Sequence, residues 1–228
     1  MFDFNITNES AVRNALPTLK PWNIYPVTFK GCEIREFEGK KESNLGVKYK
    51  VLDIKFEGED GSFTVTKFFP SEGDDQPKEV TGKNGKYYLP SNFDALKAIV
   101  AQTAQILNPK GWEKMRAASS KFKSFDDMAN ALIAITNPVI GTKTNLKLIG
   151  KTRDGSVYAD IPRIVGMNKQ GEVFISDNYI GDKLFFTQYE ETQREKYLNA
   201  APTPMESFAK AQEKDDSGFD LDDLANSF

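Results

Sequence analysis

The spacing of apolar residues changes period twice along this chain, and this change restricts the fold more than any other feature. On both sides of a central segment, residues 91–136, apolar and polar side chains alternate with period two, which is typical of β-strands. Within the segment, residues 92–107 and 124–135 have apolar side chains at helical spacing, and Ser91 and Ser124 are suitable N-caps. The sequence therefore predicts a mainly β fold with a helical insertion.

Short turn sequences join most of the predicted strands. Asp60-Gly61 and Asp154-Gly155 are both signals for a tight hairpin. Because such turns connect strands that lie side by side, we expect an antiparallel sheet. The predicted strands are 25–37, 47–56, 62–69, 139–151, 157–164, 172–176 and 183–189, and the last two are expected to pair as a hairpin.

Five core strands with a helical segment between the third and the fourth match the OB-fold, a partly open antiparallel Greek-key barrel. A β-sandwich with a helical insert is the structural alternative. We expect three regions along the chain. They are an N-terminal arm (1–21), an OB-fold-like domain with its helical insertion at about 91–136 (22–198), and a linker with an acidic tail (199–228).

The last fourteen residues, 215–228, read DDSGFDLDDLANSF and combine five aspartates with two phenylalanines and two leucines. This segment is too acidic to build a core, so we expect a disordered C-terminal tail. Residues 206–228 carry a net charge of −5, and because the whole chain carries −3, residues 1–205 carry +2. An acidic strip with apolar anchors suits a basic groove, and a solvated terminus without a role is the alternative.

The composition excludes several kinds of chemistry. The chain has no histidine and one cysteine, Cys32, so an internal disulfide, Ser-His-Asp or Cys-His catalysis and the usual zinc sites are excluded. It has no Gly-rich phosphate-binding loop, and we expect no cofactor and no metal. Because it also lacks a membrane-length apolar run and a secretory signal pattern, we expect a cytoplasmic location.

Basic and aromatic residues interleave along the predicted strands. Lys143, Lys147 and Lys151 fall on one face of a strand at period two, and such a stripe can follow a phosphate backbone, although an ordinary solvated face has the same pattern. Single-stranded nucleic acid needs cations for its phosphates and rings for its bases. The candidate DNA-binding residues are therefore Trp22, Lys30, Lys48, Tyr49, Lys50, Lys67, Phe69, Trp112, Lys143, Lys147, Lys151, Arg153 and Tyr158. Phe29, Phe56, Phe63 and Phe68 are expected in the core.

One group of acidic residues in the sequence resembles a nuclease site. Asp53, with Glu57 or Glu59 and with Lys67, would imitate the paired acids that hold Mg²⁺ in metal-dependent nucleases. The two glutamates fall at a hairpin tip, whereas the motif needs its groups on adjacent strands in a cleft. The sequence therefore favours a binding protein without catalytic residues over an enzyme.

Taken together, the strand order, the basic–aromatic strands, the proline-containing linker and the acidic tail ending in phenylalanine resemble single-stranded DNA-binding proteins of the phage and bacterial replication type. The resemblance implies sequence-independent binding of single-stranded DNA in DNA replication, recombination and repair, in the host cytoplasm if the chain is phage-encoded. It also implies that the tail recruits replication proteins, such as a polymerase or a primase-helicase, and competes with DNA. The implied partner-binding residues are Asp220, Leu221, Asp222, Asp223, Leu224 and Phe228.

The chain departs from this family in its tail and its linker. The bacterial tail ends in Ile-Pro-Phe after a run of aspartates, and here Leu224-Ala225-Asn226-Ser227-Phe228 takes that place.

We expect deletion of residues 215–228 to tighten DNA binding and to abolish partner recruitment. A phage structural or assembly protein would show no salt-sensitive DNA binding, and a nuclease would lose cleavage on Asp53→Ala. Pairing of edge strands would make the protein a homo-oligomer, and DNA and RNA are not separated by sequence.

Overall fold

In the computed structural model, the described residues are 16–39, 45–71, 74–82, 85–168 and 170–200. The predictions for most of the N-terminal arm and for the acidic tail lie outside these residues. The described part of the chain contains nine strands: β1 (Asn23–Glu38), β2 (Lys48–Gly58), β3 (Gly61–Phe68), β4 (Lys78–Gly82), β5 (Gly85–Leu89), β6 (Lys143–Arg153), β7 (Ser156–Asp160), β8 (Val165–Met167) and β9 (Val173–Ile175). The same part contains four α-helices: α1 (Asn92–Leu107), α2 (Pro109–Ala117), α3 (Phe125–Thr136) and α4 (Gln188–Ala200).

The main sheet has five strands in the order β3-β2-β1-β6-β7, and each neighbouring pair is antiparallel. Two further hairpins, β4–β5 and β8–β9, form separate two-stranded sheets. The helices α1, α2 and α3 lie in the chain between β3 and β6. A mainly β, antiparallel fold with a helical insertion is therefore confirmed.

The long strand β1 serves two partners because its pairing changes along its length. Its first half, Asn23–Thr28, pairs with β6, and residues from Thr28 onward pair with β2. A register shift between Phe29 and Gly31 marks a β-bulge, and Gly31 has a φ of +133° that suits glycine. The bulge changes which residues face the core, from Val27 and Phe29 before it to Cys32 and Ile34 after it.

The core lies between the main sheet and the helices. Leu52, Ile54 and Phe56 of β2 are buried in one cluster with Leu132 of α3, and α3 packs against β1, α1 and α2. Cys32 belongs to this cluster, and burial raises the pKa of its thiol to about 12, so it is a small apolar side chain here. Within the described ranges, no helix combines the length and apolarity that crossing a bilayer requires.

The two helices predicted from periodicity are confirmed, together with their caps. The Ser91 side chain accepts a hydrogen bond from the Asp94 backbone N–H at 3.0 Å and so begins α1. Ser124 and Asp127 form a reciprocal capping box at the start of α3. The segment 110–123, which contains five basic residues, is largely helical, since it contains most of α2. Pro109 at the first position and the Asn108 side chain, which accepts from the Gly111 backbone N–H, explain why α2 begins there.

The last predicted hairpin is wrong in its pairing. Residues 172–176 were expected to pair with 183–189, but β9 pairs with β8, and residues 183–187 form no strand before α4. The physical reason is a side-chain turn: Asn168 Oδ1 accepts hydrogen bonds from the backbone N–H groups of Gln170 and Glu172. That turn directs the chain back onto residues 165–167.

The segment before β1 packs against β3. Leu19 is 2% exposed, and the backbone of Ser62 donates to the Pro17 carbonyl and accepts from the Leu19 N–H. Gly61 makes this approach possible, because a Cβ atom there would collide with the Pro17 carbonyl oxygen. Its φ of +147° is also a backbone conformation that residues other than glycine rarely adopt. Residues 17–19, assigned to the arm, thus pack onto the domain.

Gly61→Ala is expected to lower the free energy of unfolding by about 1–3 kcal/mol, because the substitution adds backbone strain and a steric clash. Gly155→Ala is the matched control, since Gly155 also has a positive φ (+78°) but nothing lies within 4 Å of a Cβ there. Urea unfolding of both variants tests the prediction. Equal destabilisation of the two would show that the Pro17 contact contributes nothing.

Candidate nucleic-acid interface

Three aromatic rings lie together on the face of the main sheet that points away from the core. Phe37 of β1 is directly opposite Tyr49 of β2, and their rings stack at 5.4 Å and 25°. Phe68 of β3 meets Tyr49 edge-on at 5.7 Å and Phe37 at 6.0 Å. All three rings are half-buried. We call this surface, Phe37, Tyr49 and Phe68 with the adjacent Arg35, the aromatic face.

The guanidinium of Arg35 is held beside these rings by a buried carboxylate. Its central carbon lies 5.3 Å from the centre of the Phe37 ring, and its Nε donates to Asp53 Oδ2 at 2.9 Å. The Thr66 hydroxyl donates to the other Asp53 oxygen at 2.7 Å. Asp53 therefore orients Arg35, and it leaves the outer nitrogens of the guanidinium near the rings.

Further cations on the outer side of β1 and β2 form exposed ion pairs. Lys55 lies 2.8 Å from Glu33, and Lys30 lies 3.2 Å from Glu57, with all four side chains more than two-fifths exposed. Pairs of this kind contribute only about 0–1 kcal/mol, so a phosphate can replace the carboxylate at little cost. Lys48, the first residue of β2 and opposite Glu38, is also exposed, but it lies on the other face of the strand from Tyr49 and Lys55.

A second group of basic and aromatic side chains lies where the two edges of the main sheet approach each other. Asp160 of β7 lies 3.8 Å from Lys67 of β3 and 3.9 Å from Lys151 of β6, so the edge strands β3 and β7 come close. Tyr158 lies opposite Lys151 in register and is 52% exposed. Arg153 is half-buried two pairs further along the same hairpin.

Several predicted DNA-binding residues are not at an open surface. Lys147 is fully buried and bonded to Asp177 at 2.6 Å and to Glu190 at 2.8 Å, so it has no ammonium hydrogen facing solvent for a phosphate. The other lysines of the predicted stripe, Lys143 and Lys151, are exposed. The stripe is interrupted because the segment that includes Asp177 and Glu190 covers its centre.

The predicted stacking residues also separate into two groups. Trp22 is buried at 8% exposure, and Trp112 packs against the core from α2. Phe69 packs edge-on against Phe125 at 4.7 Å, and Lys50 lies 5.1 Å above the Phe69 ring and pairs with Asp126. Of the five predicted rings, Tyr49 and Tyr158 are the two that lie on the outer surface of the main sheet.

Sequence reasoning missed Phe37, Arg35 and Phe68. The prediction that Phe68 is a core residue is wrong, because its ring belongs to the aromatic face. A signal for it exists in the sequence. Phe68 lies on the same strand face as Ser62, Thr64 and Thr66, because the four residues are spaced two apart. A ring at the end of an otherwise polar strand face is expected at the surface.

The acids considered as a nuclease site are placed differently. Both oxygens of Asp53 accept hydrogen bonds from Arg35 and Thr66, while Glu57 pairs with Lys30. Over the ranges that the structure describes, no group of three or more Cys, Asp or Glu side chains is close enough to hold a metal ion.

The chain has no significant match among protein-family models, curated proteins or solved structures.

Proposed function

We propose that this protein binds single-stranded DNA without sequence preference, on the aromatic face. The observation that carries the proposal is the cluster of Phe37, Tyr49 and Phe68 next to Arg35. Exposed bases stack on such rings at about 1–3 kcal/mol per base, and every base has a face that can stack. Arg35 and Lys55 supply positive charge for the phosphates beside the rings.

We further propose that the domain is an OB-fold-like, partly open barrel. Three features support this: the strand order β3-β2-β1-β6-β7, the helices between β3 and β6, and the approach of β3 to β7 at Lys67 and Asp160. OB-folds bind oligonucleotides on the face of their second and third strands. The rings of Tyr49 and Phe68 lie on the second and third strands here.

The proposal includes a role for the acidic tail, in which residues 220–224 and Phe228 recruit replication or repair proteins. Its basis is the charge of the chain, since residues 206–228 carry −5 and the rest carries +2. A negatively charged tail and DNA would compete for the same cations. We therefore expect deletion of residues 215–228 to tighten oligonucleotide binding, most strongly at low salt.

Fluorescence anisotropy of a labelled oligo(dT), with unlabelled duplex DNA as competitor and at several salt concentrations, tests the proposal. We expect tight binding that duplex DNA does not displace and that weakens as salt rises. Each phosphate contact contributes about 0.7 to the slope of log K against log salt for a single strand. Lys55→Gln should therefore reduce that slope by about 0.7, the contribution of one phosphate contact. Lys97→Gln, on the exposed side of α1, should leave the slope unchanged.

Two results would contradict the proposal. One is the absence of oligo(dT) binding with the tail deleted, which would favour a structural or assembly role. The other is equal displacement by duplex DNA, because stacking on exposed bases requires a single strand.

A further inference from the structure

A separate cleft of about 680 Å³ opens between the β6–β7 hairpin and α4. Its volume lies within the roughly 300–1,000 Å³ that is usual for small-molecule sites. Gly150 and Val157 line one side, and Tyr189, Lys196 and Tyr197 of α4 line the other. None of these residues belongs to the aromatic face.

Trp22 forms one wall of the cleft and is held rigidly there. Its backbone has a φ of 60°, which is unusual for a residue other than glycine, and its carbonyl accepts a hydrogen bond from Arg194 Nε at 3.1 Å. Its ring presses against Gly150, where any Cβ atom would collide with the indole. Backbone strain held in place by surrounding contacts is often found at binding sites.

The indole N–H of Trp22 is a donor without a partner. Trp22 is 8% exposed, yet its N–H makes no hydrogen bond to any residue that the structure describes. The indole lines the cleft next to Gly150, so its N–H is a candidate donor to a ligand there.

The charges around the cleft favour an anion. Its two acids, Asp177 and Glu190, are already bonded to the buried Lys147, and Glu190 also accepts from the Thr187 backbone N–H at 2.7 Å. Its two exposed cations, Arg163 and Lys196, form no ion pair with any described residue. The cleft thus offers two unpaired positive charges beside two tyrosine rings.

We propose that this cleft binds a nucleoside monophosphate unit. The base stacks against Tyr197 and Tyr189, and the Trp22 N–H donates to a carbonyl or ring nitrogen of the base. Arg163 and Lys196 hold the phosphate. The unit is either a free nucleotide or the end of a DNA strand, because both present the same base and phosphate. The inference does not rest on the aromatic face.

Titration of the full chain with dTMP, followed by the emission of Trp22, tests the inference. The chain has two tryptophans, so Trp112→Phe makes Trp22 the only reporter. We expect saturable quenching and at least a tenfold weaker affinity when Arg163→Gln and Lys196→Gln are combined. Tyr49→Leu, on the aromatic face, should leave dTMP binding unchanged, which separates the two sites. Equilibrium dialysis of labelled dTMP against the unmodified chain repeats the test without the tryptophan substitution.

Several outcomes would overturn the inference: no saturable binding by either method, inorganic phosphate competing as well as dTMP, or the combined variant binding dTMP as tightly as the unmodified chain. If oligo(dT) binds but dTMP does not, the cleft is not a nucleotide site, and the proposed function of the aromatic face is unaffected. If dTMP binds, competition by a short oligo(dT) with a terminal phosphate, in the Tyr49→Leu background, identifies the strand end as the ligand. Lack of competition identifies the free nucleotide.

Discussion

Lys147→Met is expected to lower the free energy of unfolding by about 3–5 kcal/mol, because it leaves the buried Glu190 and the partly buried Asp177 without a cation. Lys147 is fully buried, and it joins β6 to Asp177 and to Glu190 of α4. Urea unfolding at neutral pH measures the loss. Lys151→Met is the matched control, since Lys151 lies on the same strand face but is 52% exposed in its side chain.

We expect the control to change stability by less than about 0.5 kcal/mol. If the two substitutions have equal effects, the buried ion pairs do not stabilise the attachment of α4. This prediction also separates a structural lysine from a DNA-binding one, because loss of a phosphate contact would weaken DNA binding without unfolding the domain.

The acid dependence of the same variant gives a second test. Burial alone would raise the pKa of Glu190, but hydrogen bonds from Lys147 and the Thr187 backbone outweigh it and hold the pKa below its ordinary value of 4.5. A carboxyl with a lowered pKa stabilises the fold above its unfolded pKa, and that contribution is lost as pH falls through the folded value. In the Lys147→Met variant, the effect of burial dominates and raises the pKa of Glu190. Protonation of Glu190 at low pH then removes a buried charge and restores part of the lost stability. The stability difference between the two proteins should therefore begin to shrink above pH 4.5, where Glu190 of the variant takes up its proton, and shrink further below pH 4.5, where Glu190 of the unmodified protein does so.

Tyr49→Leu is expected to weaken oligo(dT) binding by about 5- to 150-fold, the equivalent of losing one stacked base at roughly 1–3 kcal/mol. Tyr49 lies closer to each of the other two rings, at 5.4 Å from Phe37 and 5.7 Å from Phe68, than those rings lie to each other at 6.0 Å. Leucine keeps an apolar side chain of similar reach but has no π-face. Anisotropy titration at fixed salt measures the change, and thermal unfolding verifies that the variant is folded.

Tyr49→Phe should bind nearly as well as the unmodified protein, because it keeps the ring. Tyr87→Leu is a control for loss of an exposed tyrosine elsewhere, since Tyr87 lies on the β4–β5 hairpin outside the main sheet. Unchanged affinity for Tyr49→Leu would show that the aromatic face is not where bases stack. A loss of equal size for Tyr87→Leu would move the interface toward that hairpin.

The parts of this fold that were predictable are those with local signals. Ser91 and Ser124 each cap a helix through a residue three positions further on, so a short window of sequence contains the whole interaction. The period-two pattern also placed Phe68 and Phe69 correctly on opposite faces of one strand. The polar residues on the Phe68 face were a local signal that this face is exposed, but the packing of Phe69 depends on Phe125 of α3, which lies far away in the sequence.

The candidate site was harder to predict for the same reason. Lys147 is buried because Asp177 and Glu190, which are far away in the sequence, pack over it. The period-two pattern of a strand does not indicate which distant residues will cover a given side chain. Trp22 was chosen for its ring, but its position depends on contacts with Gly150 and Arg194. Sequence patterns pointed to basic and aromatic residue types, and tertiary packing decides which of these side chains are accessible.

The double pairing of β1 also bears on how the chain reaches this fold during synthesis. Asn23 pairs with Leu148, so this part of the sheet cannot form until the helical insertion and β6 have left the ribosome. The β1–β2–β3 meander emerges earlier, with the first half of β1 unpaired at its edge. Exposed strand edges on a nascent chain attract other strands, and Pro26 within this edge and the charged Lys30 just beyond it are of the kind that discourages such contacts.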